Sequence, residues 1–475
     1  MNLRCLSFLF LLLLLQTAAS AQPRLPYFFS DNMVLQRNTD VKIWGTSQAG
    51  KRVQVSTSWN KKNYAATADS NGNWEVRAST PGAGGPYTIR VSDGRPVEIR
   101  NVMIGEVWLC SGQSNMEMPM KGYRDQPIRG SNDAIFESAN PMIRLYTVPR
   151  SVKLRPQDTS KASPWKIAQP ESVSEFSATA WYFGKMLQER LNVPVGLINI
   201  SYGGSTAEAW MSTDALRAFP SIKLPTAADS ASANNRTATT LYNGMLHPFI
   251  GYGIKGCIWY QGESNFERAE EYETLFPAMV QQWRKEFGQG DFPFYFVQIA
   301  PYNYSQLPPY YAGGKYNSAF LRDAQRKAQR LMPNSGMVSL LDAGEENSIH
   351  PADKQTPGKR LAYLALAKTY GEKGFGFASP DLDTMTVTGN IATIKFRDAP
   401  NGLTSFGREL RHFEIAGADK VFRPANAVIR RGTVVVSSPD VREPVAVRYA
   451  FRDFVSGDLF STEGLPVSSF RTDDW

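Results

Sequence analysis

The feature that most constrains the fold is an alternation of strand-like and helix-like runs between residues 101 and 376. Val102–Cys110 reads as an apolar strand ending in a turn. Residues 177–191 (SATAWYFGKMLQERL) carry apolar side chains at helical spacing, and VPVGLINI then reads as a strand. The pattern repeats with GIKGCIWY before EEYETLFPAMVQQWRKEF, FPFYFVQIA before FLRDAQRKAQRLM, and GMVSLLDA before TPGKRLAYLALAKTYG. In the last helix Thr356 is the expected N-cap, Pro357 the first helical residue and Gly371 the stop. Strands this apolar, separated by helices, predict a doubly wound parallel sheet, because a strand covered on both faces has no polar side.

The flanks read differently. Residues 22–100 carry short runs (MVLQ, VKIWG, RVQVSTSW, NWEVRAS, YTIRVSD) bounded by Asn-Gly, Pro-Gly, Gly-Gly and Asp-Gly turns, which predicts a β-sandwich or jelly-roll-like domain. TMTVTGNIATIKF, HFEIAGAD, AVIRRGTVVVSS and PVAVRYAFRD predict a second β domain over 377–475. Before both flanks stands MNLRCLSFLFLLLLLQTAASAQ. Arg4, the apolar run after Ser7 up to Leu15, and Ala19-Ser20-Ala21 predict a signal peptide over 1–21, cut after Ala21. The expected product is an exported protein, periplasmic or secreted. The apolar run is shorter than the ~20 residues a membrane span needs, and no later run is long enough, so no membrane span is expected.

Of the three cysteines, Cys5 would leave with the signal peptide. Cys110 and Cys257 sit in apolar runs and are expected as buried free thiols rather than a disulfide. The formal net charge of +8 is scattered over 475 residues with no basic block, which argues against a nucleic-acid partner.

In a doubly wound sheet, sites form in loops leaving the carboxyl ends of strands. Those loops here are Ser111-Gly-Gln-Ser-Asn115, Ser201-Tyr-Gly-Gly-Ser205, Gln261-Gly-Glu-Ser-Asn265 and Gly344-Glu-Glu-Asn-Ser-Ile-His350. A serine nucleophile needs a base, oxyanion donors and an exposed turn, and this set supplies each. Only three histidines occur. His247 lies in an apolar segment and reads as structural, and His412 falls on an expected strand of the C-terminal β region (RHFEI), whereas His350 follows the last α/β strand in a polar loop. No Gly-x-Ser-x-Gly elbow, HExxH zinc motif or phosphate-binding glycine loop is present, so no metal or cofactor is expected. Asp342, Glu345 and Glu346 could form a glycosidase acid/base pair, but charged loop residues are more often simply solvated.

The blocks GQSNMEM, SYGGSTAEAW, IWYQGESN and SIHPADKQTPGKRLA, with LYNGMLHP and FLRDAQ, together resemble the sialate O-acetylesterase family of SGNH-type carbohydrate esterases, from about residue 25 to beyond 370. The resemblance implies a three-layer α/β/α flavodoxin-like SGNH hydrolase domain over 101–376, flanked by the two β-sandwich-like domains. It implies removal of acetyl groups from sugar hydroxyls, typically the 9-O-acetyl of sialic acid. Ser114 would be the nucleophile and His350 the general base. The Ser114 N–H, Gly204 or Gly203, and the Asn265 side chain would be the oxyanion donors. Gln113, Glu263 and Arg322 are candidate substrate contacts. The family commonly carries an aspartate three residues before the histidine, but this chain has Asn347 there. The group orienting His350 is therefore sought among Ser348 (through its backbone carbonyl), Asp342, Glu345 and Glu346. Two alternatives remain beside the sialate reading: the same chemistry on acetylated xylan or pectin, and a non-catalytic carbohydrate-binding protein.

Overall fold

The computed structural model describes residues 22–306 and 317–475. The signal peptide expected over residues 1–21 lies outside the described residues. The chain opens with six short strands: β1 Val34–Gln36, β2 Asp40–Thr46, β3 Arg52–Thr57, β4 Asn63–Thr67, β5 Asn73–Ser79 and β6 Gly84–Ser92. β2 and β5 pair antiparallel and bury alternate residues, Val41 and Ile43 against Trp74 and Val76, so only one face enters a core.

β7, Pro96–Gly112, joins this region to the rest. Its beginning pairs antiparallel with β6. Its end runs parallel between β10, Val195–Ser201, and β11, Gly256–Tyr260. Burial alternates up to Asn101 and is then unbroken from Val102 to Gly112. The change of sequence rhythm near residue 101 thus marks the point where one strand passes from a half-covered to a fully covered sheet.

The central sheet has the order β13 (Ser335–Val338), β12 (Phe294–Val297), β11, β7, β10, β8 (Asn140–Thr147), β9 (Lys166–Ala168), parallel except for β9. The chain places β8 and β10 on one side of β7 and β11 to β13 on the other. The order therefore reverses beside β7, and loops part there to leave a crevice at its carboxyl end.

Neighbouring residues of β7 enter different cores. Trp108 and Cys110 pack with Trp181 of the helix α2 (Ala178–Leu191) and Leu361 of α5 (Gln355–Leu364). Val107 and Leu109 pack with Phe276 of α3 (Ala269–Phe287) and Leu321 of α4 (Ala319–Arg330). This alternation also settles the cysteines. Cys110 stands opposite Ile258 and Cys257 opposite Leu109, so the two thiols enter opposite cores, where both are free and buried. Burial raises both thiol pKa values well above their usual value.

Ser177 caps α2 by accepting the Ala180 N–H at 3.1 Å. The start of α5 differs from the sequence expectation. The helix begins at Gln355, and Thr356 lies inside it. Asp353 accepts both the Thr356 N–H (2.9 Å) and its hydroxyl (2.7 Å). A carboxylate satisfies helix N-terminal N–H groups and favours the positive end of the helix dipole, so it displaces the threonine as cap.

The C-terminal strands form antiparallel pairs, including Asp381–Thr388 with Ile391–Arg397 and Phe413–Ala416 with Ala446–Tyr449, around their own apolar cluster. They dock on α4, where Arg326 and Arg330 reach Asp381 and Arg471 reaches Asp323.

Candidate active site

β7 ends in a turn that requires glycine. Gly112 has φ +138°, and a Cβ there would lie 2.1 Å from the Tyr260 carbonyl oxygen. The Gln113 N–H donates to that same carbonyl at 3.0 Å, and the Gln113 side-chain oxygen accepts the N–H groups of Gly262 (3.4 Å) and Ser264 (3.3 Å). Ser114 then opens a single helical turn, α1 (Ser114–Glu117), at the carboxyl end of the strand beside which the sheet order reverses.

His350 reaches this turn from the long loop after β13. Its Nε2 lies 2.7 Å from Ser114 Oγ, and its Nδ1 lies 2.6 Å from Oε1 of Gln126. An amide oxygen can only accept, so Nδ1 carries the proton and the Nε2 lone pair is left to accept from the serine hydroxyl. Gln126 is held by reciprocal backbone hydrogen bonds with Tyr123 at 3.0 and 3.1 Å, and the Tyr123 ring meets His350 edge-on with centroids 5.6 Å apart. Burial, and secondarily the nearby Lys354, pull the imidazole pKa down to about 4. The ring is therefore neutral near pH 7, the form in which it can take a proton.

Gly203 passes close beside the serine: a Cβ on it would lie 3.4 Å from Ser114 Cβ and 3.0 Å from Glu117 Oε2. Its N–H donates to Glu117 Oε2 at 2.7 Å. The N–H groups of Ser114 and Gly204 donate to no protein acceptor among the described residues. Two backbone donors thus stay available beside the hydroxyl. Above Ser114 and His350 lies a cavity of about 430 Å³ whose walls include Glu117, Tyr123, Arg150, Gly204, Arg236 and Phe266. Arg150 is paired with Glu117 through two hydrogen bonds of 2.6 and 2.7 Å.

Residues 104–367 match the family described as carbohydrate esterase, sialic acid-specific acetylesterase. The chain belongs to this family. A solved carbohydrate acetylesterase from Xanthomonas citri is 35% identical, with 95% of this chain and 100% of that chain covered and a TM-score of 0.86. The sialate O-acetylesterase of Homo sapiens is 29% identical over 386 residues, covering 75% of this chain and 73% of the relative. That of Mus musculus is 28% identical over 413 residues, with 75% of each covered. The esterase is a carboxylic ester hydrolase on a mixed α/β fold, which removes the binding-only alternative.

The structure brings Gln113, Ser114, Gly203, Gly204, Glu263 and His350 together at the cavity. Asn265 stands behind its wall. The Asn265 Oδ1 accepts from Ala207 (2.9 Å) and Gln261 (2.7 Å), and Nδ2 donates to Glu208 at 2.9 Å, which leaves one amide hydrogen. Glu263 is buried: Oε1 accepts from Asn115 Nδ2 at 2.6 Å, and Oε2 is removed from solvent with no partner.

None of the four groups considered as orienter of His350 faces its ring. Asp342 is bound to Arg360 at 2.7 and 2.6 Å, a stronger bidentate partner than a neutral imidazole. Glu345 accepts the Ala352 N–H at 2.9 Å, and Glu346 is exposed, with its backbone carbonyl accepting from the Asn303 N–H at 3.1 Å. The Ser348 hydroxyl donates to the His350 carbonyl, 3.0 Å away, on the main chain rather than the ring. Asn347 accepts from Gln306. The group that faces Nδ1 is instead Gln126, which a search for carboxylates in the histidine's own loop passes over. It is a neutral amide 224 positions from His350.

Arg322 does not touch the cavity. It is 0% exposed, and its guanidinium donates to the hydroxyls of Ser469 and Ser318 and to the carbonyls of Ala450, Arg452 and Asp453. Its role is to fasten α4 to the C-terminal strands. An arginine two positions into an amphipathic pattern looks solvent-facing until a second domain covers that face. His247 lies 3.0 Å from the Gln157 carbonyl, and His412 is 3.8 Å from Asp458, both away from Ser114. Among the described residues no helix is long and apolar enough to cross a membrane, and no group of three or more His, Cys, Asp or Glu could hold a metal ion.

Proposed function

We propose that the esterase removes O-acetyl groups from sugar hydroxyls through an acetyl-enzyme on Ser114, with His350 as general base and Gln126 holding its tautomer. The observation that carries this reading is the continuous Ser114–His350–Gln126 hydrogen-bond chain beneath an open cavity. Ser114 Oγ attacks the acetyl carbonyl carbon while its proton passes to His350 Nε2. The oxyanion is received by the Ser114 and Gly204 N–H groups, with the remaining Asn265 hydrogen behind them, each such donor being worth about 3 kcal/mol of barrier. The C–O bond to the sugar breaks and the alkoxide takes the proton from Nε2. Water then attacks the acetyl-serine, giving up a proton to His350, and acetate leaves as Ser114 regains its proton.

Residues 101–376 are proposed as the catalytic domain, a three-layer α/β/α core, with β domains over 22–100 and 377–475. Export after cleavage at Ala21 belongs to the same proposal, and N-terminal sequencing of protein recovered from outside the cytoplasm tests it.

For the sugar we propose O-acetylated sialic acid. The reading is supported by the names of the curated relatives and by the two guanidinium groups, Arg150 and Arg236, on a compact cavity. One observation favours a neutral acetylated polysaccharide instead: Glu117 already neutralises Arg150. Acetate release from O-acetylated sialic acid, xylan and pectin, by wild type and Ser114→Ala, separates these readings. Equal near-zero rates for both proteins on every substrate and on an aryl acetate would overturn the mechanism. Activity on xylan or pectin alone would replace the sialate assignment.

A further inference from the structure

Lys354 is 1% exposed and stands at the N-terminal end of α5. Both facts are unfavourable for a cation. Burial strips its hydration, and the helix dipole places partial positive charge at that end. Its Nζ forms no direct ion pair among the described residues, and Glu263, Glu345 and Asp353 favour its charge only from a distance. An ammonium kept under those conditions calls for a role beyond stability.

Its contacts define that role. Lys354 Nζ donates to Asn115 Oδ1 and to the Pro351 carbonyl, each at 2.7 Å. Asn115, next to the nucleophile, donates through Nδ2 to Glu263 Oε1 (2.6 Å) and to the Ile349 carbonyl (3.0 Å). The residues on both sides of His350 are thus gripped by one buried chain, Glu263–Asn115–Lys354, that also holds the residue following Ser114. The amide of Asn115 has one consistent orientation, oxygen toward the ammonium and nitrogen toward the carboxylate.

We infer that Lys354 is a positioning residue that sets both the place and the basicity of His350, acting through Asn115 and supported by Glu263. This rests on the proposed Ser114–His350 mechanism. Its positive charge stands close enough to oppose protonation of the imidazole. Burial pulls Lys354 itself down to about 7, and the carboxylates of Glu263, Glu345 and Asp353 act against that fall. The ammonium is therefore charged throughout the acidic range in which His350 titrates. The other ionisable groups around the ring are Tyr123 from its turn, Glu117 from α1, Glu263 and Glu267 from the loop after β11, and Arg150 and Arg236 across the cavity. Glu345 belongs to the histidine's own loop.

The test reads the His350 titration directly by NMR of histidine-labelled full-length protein, with His247 and His412 as internal references. Lys354→Met is expected to move the His350 midpoint upward from about 4 and to lower kcat about tenfold or more with a smaller change in KM. Lys354→Gln keeps a donor without the charge and is read in the same way should the methionine variant not fold. Burial holds the Glu263 carboxyl above its usual range, so it carries little charge where His350 titrates, and Glu263→Gln, which keeps an acceptor for Asn115, is expected to leave the midpoint at the wild-type position. An unmoved midpoint in the lysine variants overturns the inference. So does an upward move in both lysine and Glu263 variants, since that would report loosening and water entry rather than charge. Because the titration needs no turnover, failure here is distinguishable from failure of the acetyl-enzyme mechanism, which the Ser114→Ala comparison reads.

Discussion

Lys354 and Arg322 are both buried cations, and they are held in opposite ways. Arg322, at the seam between α4 and the C-terminal strands, donates to five oxygens from Ser318 to Ser469. Burial pulls its pKa down only to about 10, so its charge is fixed near neutral pH. Lys354, under the catalytic loop, has two acceptors and is pulled down to about 7. A guanidinium surrounded by carbonyls is fully satisfied and serves as a rivet. An ammonium with an incomplete shell retains a proton that its surroundings can take, and such groups collect at functional sites. The contrast is between a seam whose buried cation is fully satisfied and a candidate site whose buried cation is not.

The contrast breaks most directly at the site. Ser114→Ala or His350→Ala is expected to lower kcat/KM by at least about 1,000-fold with an unchanged melting temperature. Loss of folding alongside activity would mean that these residues belong to the fold instead. At the seam the opposite holds. Arg322→Met should destabilise the protein by roughly 3–5 kcal/mol, because several buried carbonyls lose their donor. It should leave kcat of the folded fraction within about threefold, which denaturant unfolding and active-site titration together measure.

Gln126→Leu sharpens the comparison within the site, since it removes an acceptor without touching the reacting atoms. A loss of about 100-fold in kcat is expected from the freed imidazole tautomer. The pH dependence follows from the low imidazole pKa. His350 acts as a base only when neutral, so activity should persist as pH falls and be lost through a midpoint of about 4. Gln126→Glu supplies a charge that favours the imidazolium, and it should move that acidic limb upward by roughly one unit. A limb that moves down would mean that the group titrating is not His350. The smallest effect among the substitutions at the site belongs to Glu345→Ala, whose carboxylate holds the Ala352 N–H rather than the ring; kcat should stay within about threefold.

Much of the site was legible because loops at strand ends follow directly from the alternation of strands and helices. Ser114, Gly203, Gly204 and His350 converge as that alternation requires. Gln126 was not legible, since a glutamine in an exposed-looking Arg-Asp-Gln-Pro turn carries no signal of its own. Arg322 misled for the reverse reason: next to Leu321 and Asp323 it resembles a solvent-facing position, but the C-terminal strands cover that side of α4.

By itself the sequence determined the parallel sheet, the loops that carry the serine and histidine, and the placing of Cys110 and Cys257 in apolar strands, since periodicity and turn chemistry are local properties of the chain. Only the tertiary structure decided what holds His350 and which groups accept from each buried cation. Hydrogen-bond partners such as Gln126 with His350, or Lys354 with Asn115, are 224 and 239 positions apart, and which of many equivalent polar groups meet is fixed by packing rather than by spacing.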